Sequence, residues 1–364
     1  MQLSVLVVSR TAQLLSTLLS SLERACSLPA DAVEVLCSWN GSASEQQAIS
    51  NPSRFAFRIV QRDPYHFASN VNGLIEQASG SLLMLVNDDV ILDAGCVDAG
   101  LRLLTSSECI GLVGGLLRTD CGRLSHLGIA LDHEGNAYHM LDQKLNQHQS
   151  NLVPTQPVAA VTGALQWLRR SDALPLNSQY RVCGEDVELC LDMQQQRGKQ
   201  VWLCGDAQAV HNGETTRQHR ESQAASTEDQ GRLRQRWAGF IAGAPAAALA
   251  VVLKQQQWES HMLRVQAAEQ QSAHENHCAS LHQQHTDRLE ALEMTHRSAI
   301  EALEQDLQDQ QTVQLEALKA ERSLQLRQAR QAARLLDDLQ ADRLHLKAQL
   351  ERSLLPAGPG QVNP

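Results

Sequence analysis

Along the first ninety residues, apolar runs of strand length alternate with stretches that repeat at helical spacing. Leu3-Ser4-Val5-Leu6-Val7-Val8 opens the chain as a strand buried on both faces, because such strands read as continuous hydrophobics. Ser9-Arg10-Thr11 then starts a helix carrying Leu14, Leu15, Leu18, Leu19 and Leu22. Val33 to Ser38 repeats the strand signal and ends in the turn Trp39-Asn40-Gly41-Ser42. Ile59-Val60 predicts a short third strand, and Phe67 to Ala78 a helix closed by Gly80. Strands joined by helices in this way predict an α/β sheet.

The run Leu82-Leu83-Met84-Leu85-Val86 matters most, because it delivers Asn87, Asp88 and Asp89 to its own end. In open α/β sheets, ligands gather beyond the carboxyl ends of the strands. Hard oxygen ligands there suit Mg²⁺ or Mn²⁺, which take the rest of their shell from water and substrate phosphates. A plain surface turn also uses Asn and Asp, so this segment alone leaves both readings open.

After residue 237 the pattern changes. Residues 238–253 are apolar, but the stretch is shorter than the ~20 residues a spanning helix needs and is broken by Pro245, which predicts a packing or interfacial segment. Residues 254–355 contain no Gly or Pro and are rich in Gln, Glu, Ala, Leu, Arg and His, a helix-forming composition. Leu289, Leu292, Ala299 and Leu303 follow one alternating three-and-four register; Leu336, Leu339, Leu346 and Leu350 follow another. His296 and Arg343 interrupt these seams. We read 254–355 as a coiled coil that self-associates, well over about 100 Å long if continuous, against a solvated helix as the plainer state. Residues 356–364, with Pro356, Gly358 and Pro359, read as a tail.

Net charge is −10, with only 3% aromatic residues, and neither half of the chain carries the basic stripe that nucleic-acid binding needs. The nine cysteines form no C-x-x-C pair, which predicts reduced core residues in a cytosolic protein. Met1 leads straight into a strand pattern rather than a signal peptide. The expected location is therefore cytoplasmic, with peripheral membrane association possible.

The order of these parts resembles the nucleotide-binding half of glycosyltransferase family 2, whose fold is the Rossmann-like GT-A type. The matching pieces are the Asn40-Gly41-Ser42 turn, a helix with Asn72-Gly73 ending Ala78-Ser79-Gly80, and the strand ending Asn87-Asp88-Asp89-Val90. Gly114-Gly115, His126-Leu127-Gly128 and His139 are similar to the family's following hairpin, and Val161-Thr162-Gly163-Ala164 to its acceptor-side strand. Gly184-Glu185-Asp186 resembles the start of the helix bearing the catalytic carboxylate, and Val210-His211 the closing strand with its histidine. The resemblance covers roughly residues 1–220.

It implies an inverting, metal-dependent enzyme moving a sugar from a nucleotide-sugar to a glycan or lipid-linked acceptor, in surface polysaccharide assembly. Asp89 is then the metal ligand, with His211 a further one, for Mn²⁺ or Mg²⁺. Asp186 becomes the base, with Glu185 beside it, and Gly163 and Ala164 lie on the acceptor side. Donor contacts fall to Ser9, Arg10, Trp39, Asn40, Asn72, Asn87 and Asp88. The chain departs from the family pattern in three places: Asn87 stands where an Asp is usual, Trp39 where an Asp would face the nucleoside, and Ser9-Arg10-Thr11 where Thr-Tyr-Asn is more usual. By spacing alone, Glu185 and Asp186 also suit the first turn of any helix, where acids stabilise the macrodipole. Two rivals follow: an inactive GT-A-like scaffold whose coiled coil carries the function, and a nucleotidyltransferase, disfavoured because no Gly-rich, Lys-bearing phosphate loop follows the first strand.

Overall fold

The computed structural model describes residues 1–211, 220–309, 322–338 and 340–341. The strands are β1 (Leu3–Ser9), β2 (Val33–Trp39), β3 (Ala56–Gln61), β4 (Leu82–Asn87), β5 (Val90–Leu92), β6 (Ile110–Arg118), β7 (Leu124–His126), β8 (Ile129–Leu131), β9 (Ala137–His139), β10 (Gln156–Pro157), β11 (Leu165–Arg169) and β12 (Gln200–His211). The helices are α1 (Ala12–Ala25), α2 (Ala43–Gln47), α3 (Phe67–Gln77), α4 (Cys96–Ser106), α5 (Glu185–Gln196), α6 (Arg220–Gly243) and α7 (Ala246–Asp309). The main sheet runs β10-β12-β6-β11-β4-β1-β2-β3, with β5 on β12 and β7 on β6, while β8 and β9 pair separately.

Both faces of the sheet are covered, which is why its central strands are apolar throughout. Leu6 and Val8 of β1 enter one core cluster, and Leu3, Val5 and Val7 enter the other. β3, β2, β1 and β4 are parallel neighbours, so the ends of β1 and β4 fall at one edge. β11 inserts antiparallel between β4 and β6, with Leu165 opposite Val86. This brings the Thr162–Ala164 turn beside the Asp88-Asp89 end of β4.

At the opposite edge a buried carboxylate ties three strands together. Glu34 of β2 accepts hydrogen bonds from Ser4 Oγ (2.7 Å), from Ser79 N and Oγ (2.8 and 2.7 Å) and from Arg58 Nη2 (3.0 Å). Burial pushes its pKa up, but these donors outweigh burial and hold it at about 2.

The first compact unit runs from Met1 to Leu263, past the boundary that the sequence places at residue 237. The reason is packing: Phe240 is fully buried and stacks on Trp237, and Ala244, Ala248, Leu249 and Val252 pack on the core. Residues 238–253 thus pack, and the first turns of α7 belong to the same unit. Among the described residues no single helix is long and apolar enough to cross a membrane.

In the second unit, Arg264–Pro364, one cavity is lined by His296, Ala299 and Ile300 of α7 together with Arg322, Gln325 and Leu326. In one straight helix residues 300 and 322 would stand about 33 Å apart. The 296–300 and 322–329 stretches instead lie side by side around this cavity. Of the seam positions, Leu292 and Leu336 are each 44% exposed. The Leu303 side chain, Leu339, Leu346, Leu350 and residues 356–364 lie outside the described residues.

Candidate active site

The carboxyl ends of β1 and β4, the turn before β11, the start of α5 and the end of β12 enclose one cavity. It is lined by Ser9, Arg10, Asn87, Asp88, Asp89, Gly163, Ala164, Glu185, Asp186 and His211, which is most of the set expected from sequence. Tyr65, Phe67, Thr162, Val182 and Cys183 line it as well.

Strand register builds the first constellation. β12 pairs antiparallel with β5, setting His211 against Val90 and so next to Asp89. His211 Nε2 lies 3.2 Å from Asp89 Oδ1, and that oxygen is buried and accepts no hydrogen bond among the described residues. Two adjacent ligands on an octahedral ion, each about 2.1 Å from it, stand about 3.0 Å apart, so this nitrogen and oxygen match the bite of a divalent cation. No group of three or more His, Cys, Asp or Glu side chains arranged to hold a metal ion occurs among the described residues. A cation here would complete its shell from water and phosphate oxygens, the habit of Mg²⁺. Asp88 lines the same cavity: its Oδ2 accepts from Ser9 Oγ at 2.7 Å, and burial raises its pKa.

The second constellation opens α5. Gly184 caps the helix at φ +109°, a left-handed conformation that suits glycine, and Glu185, Asp186 and Glu188 occupy the first turn. Asp186 Oδ2 accepts from Gly163 N (2.7 Å) and its Oδ1 from Val187 N (2.8 Å). A Cβ on Gly163 would come within 3.2 Å of the Asp186 Cβ, so a glycine lets the two meet this closely. Glu185 differs sharply from its neighbour. Burial, then the charges of Asp186 and Asp229, push its pKa up to about 8. Of the two adjacent acids, Asp186 is the one whose carboxylate is oriented by two backbone N–H groups.

Three expected donor contacts lie outside this cavity. Trp39 is 2% exposed, packs in the core and donates from Nε1 to Ser42 O (3.3 Å). A Cβ at Gly41 would fall 2.5 Å from its ring, so the indole is sealed in and offers no face to a nucleobase. Asn40 bonds the Asp63 carbonyl through its side chain and Ser9 O through its backbone N–H. Asn72 is held by both polar atoms on the Leu176 backbone, each at 2.8 Å. Conversely, Tyr65 was missed. It follows Asp63-Pro64 just beyond the carboxyl end of β3, the edge where ligand contacts concentrate, and Arg10 sits 5.8 Å from its ring centre.

No family model matches the chain. An uncharacterized protein of Sinorhizobium fredii is 29% identical over 172 residues, 45% of this chain and 19% of its own length. The O-antigen biosynthesis protein RfbC of Myxococcus xanthus is 26% identical over 168 residues, 44% of this chain and 13% of its own. The chain therefore spans less than a fifth of these curated relatives. Among solved structures, TarS of S. aureus (residues 1–349) superposes with a TM-score of 0.45 at 13% identity, covering 67% of this chain and 66% of TarS. The mannosyltransferase PcManGT of Pyrobaculum calidifontis, solved with GDP-Man and Mn²⁺, gives 0.44 at 12% identity, covering 73% and 84%.

Proposed function

We propose that the chain is an inverting glycosyltransferase, GT-A-like and metal-dependent, transferring sugar from a nucleotide-sugar to a glycan or lipid-linked acceptor. One observation carries the reading: the Asp89 oxygen and His211 nitrogen, spaced for a cation, share a cavity with a carboxylate whose direction is fixed by two backbone N–H groups. The sequence match to RfbC, an O-antigen biosynthesis protein, supports a role in surface polysaccharide assembly.

In this reading the donor diphosphate lies across the ends of β1 and β4, near Ser9, Arg10 and Asn87. Asp89 and His211 would hold Mn²⁺ or Mg²⁺, which offsets the charge that develops on the leaving diphosphate. Asn87 adds hydrogen bonding without charge. Asp186 takes the proton from the attacking acceptor hydroxyl, for which its oxygens keep lone pairs beyond those facing Gly163 and Val187. The displacement is single, since Asp186 serves as base and no covalent intermediate is invoked. A cytoplasmic location is part of the same proposal; of the nine cysteines, Cys109 and Cys121 are exposed and Cys183 and Cys278 half-buried rather than in the core.

The test is calorimetry with a panel of nucleotide-sugars in Mn²⁺ and in chelator, followed by assay of nucleoside diphosphate release. Binding that needs the metal is expected. A native chain that binds no nucleotide-sugar in Mn²⁺ would overturn the proposal.

A further inference from the structure

On the far side of Asp186 lies a second cavity, lined by Asn136, Tyr138, His139, Gln230 and Leu233 among others. Thr162, Val182, Cys183 and Asp186 line both cavities, so the carboxylate stands between two chambers, as a transfer between two substrates requires. One wall of the second chamber is the β8–β9 hairpin, which among the described residues forms a two-stranded sheet of its own and meets the rest of the sheet structure through the bridge of Ile129 to Ala160. A two-stranded hairpin of three-residue strands is marginal without support.

The support comes from the first turns of α7. Gln255, 2% exposed, accepts from Ala159 N (2.7 Å) and donates to Ile129 O (2.9 Å) and Met140 Sδ (2.7 Å). Glu259, one turn on and 8% exposed, accepts from the Tyr138 hydroxyl (2.7 Å) and from Leu141 N (3.2 Å). Leu141 is one of two non-glycine residues with a left-handed backbone among the described residues, φ +49°, so Glu259 holds a position the chain would otherwise leave. From the hairpin the contacts run to the base. Thr162 N donates to His126 Nε2 (3.3 Å), which leaves the hydrogen of neutral His126 on Nδ1, where it meets His139 Nδ1 at 2.9 Å. Gly163, the next residue, donates to Asp186.

We infer that Gln255 and Glu259 are positioning residues for the acceptor side of the site, so that α7 is a working part of the transferase and not merely its tether. This rests on the transferase reading above, with the second cavity taking the acceptor. The latch sets the wall at Tyr138 and His139 and, through His126 and Thr162, the N–H that aims Asp186.

The experiment compares the full native chain with Glu259→Ala and Glu259→Gln. Amide exchange read by mass spectrometry should speed by about tenfold or more in the Met140–Leu141 and Thr162–Gly163 peptides of Glu259→Ala, with Leu3–Ser9 and Leu82–Asn87 unchanged. Glu259→Gln should restore protection, because its amide oxygen still accepts from Leu141 N. With methyl hexosides as acceptor probes, KM for the glycoside should rise about tenfold and kcat should fall in Glu259→Ala, while donor KM stays within about twofold. Should Glu259→Ala not fold, Gln255→Leu, which removes the bonds of the same helix to Ala159 N and Ile129 O and does not line the cavity, serves the same comparison. Unchanged exchange at Gly163 overturns the inference, as does a parallel rise of donor and acceptor KM. A native chain inert toward every nucleotide-sugar would instead refute the transferase reading, while the exchange data still judge the latch.

Discussion

Replacing Asp186 by Asn separates its two duties, because the structure fixes what the amide can and cannot replace. Both carboxylate oxygens accept a backbone N–H, from Gly163 at 2.7 Å and Val187 at 2.8 Å. An asparagine has one oxygen and one NH₂, so in either orientation one of those N–H groups faces another donor. Leaving such a group unsatisfied costs about 1–3 kcal/mol, and in a unit of this size each kcal/mol lowers Tm by roughly 2–4 °C. That loss leaves the chain folded at 25 °C. Transfer should fall far more, by roughly 10²–10⁴, the usual contribution of a general base. Donor affinity should survive, because proton acceptance belongs to the transition state. Calorimetry of donor binding, thermal melting and a transfer assay on Asp186→Asn together decide it. Transfer at the unmutated rate would refute the assignment; a loss of donor affinity equal to the loss of rate would make Asp186 a donor-positioning group.

Other outcomes follow from the same geometry. Asp89→Ala and His211→Ala each remove one of the two proposed ligands, so donor affinity in Mn²⁺ should drop roughly tenfold or more and the gap between Mn²⁺ and chelator should narrow, read by calorimetry. Glu185 has a folded pKa raised from 4.5 to about 8, so the folded state alone holds that proton between those values. Stability should therefore decline as pH rises from about 5 to 8, and urea midpoints of Glu185→Gln should decline less over the same window. Finally, light scattering should show a dimer or larger for the full chain and a monomer for a chain ending at Leu263; a monomeric full chain would rule out self-association through residues 264–364.

Much of the sheet was legible because β1, β2 and β4 are buried on both faces and so carry unbroken apolar runs. β12 was harder: it reads as two fragments, around Val201 and Val210, because its register against β6 shifts between Cys204 and Gln208. The acids at 88, 89 and 186 and the histidine at 211 were singled out from the order of parts, and the fold brings all four to one cavity. Glu185 and Asp186 are chemically alike in sequence, and only burial and the two N–H groups on Asp186 distinguish them. Trp39 misled because an aromatic after a strand end looks available until Gly41 is seen closing over the indole. Glu259 gave no signal: its partners lie 118 and 121 residues away, and a lone Glu in a polar helix is indistinguishable from its solvated neighbours.

The Glu34 knot, at the sheet edge opposite the cavity, bears on how freely such a chain can diversify. Ser4, Ser79 and Arg58 converge there on one carboxylate, and none of them contributes to the cavity lining. Substitutions among residues such as Arg10, Tyr65 or Val182 can therefore alter what the cleft accepts without disturbing the joint that fastens β1, β2 and β3. Fold maintenance and substrate choice draw on separate residues, so selection can act on one while the other is held constant.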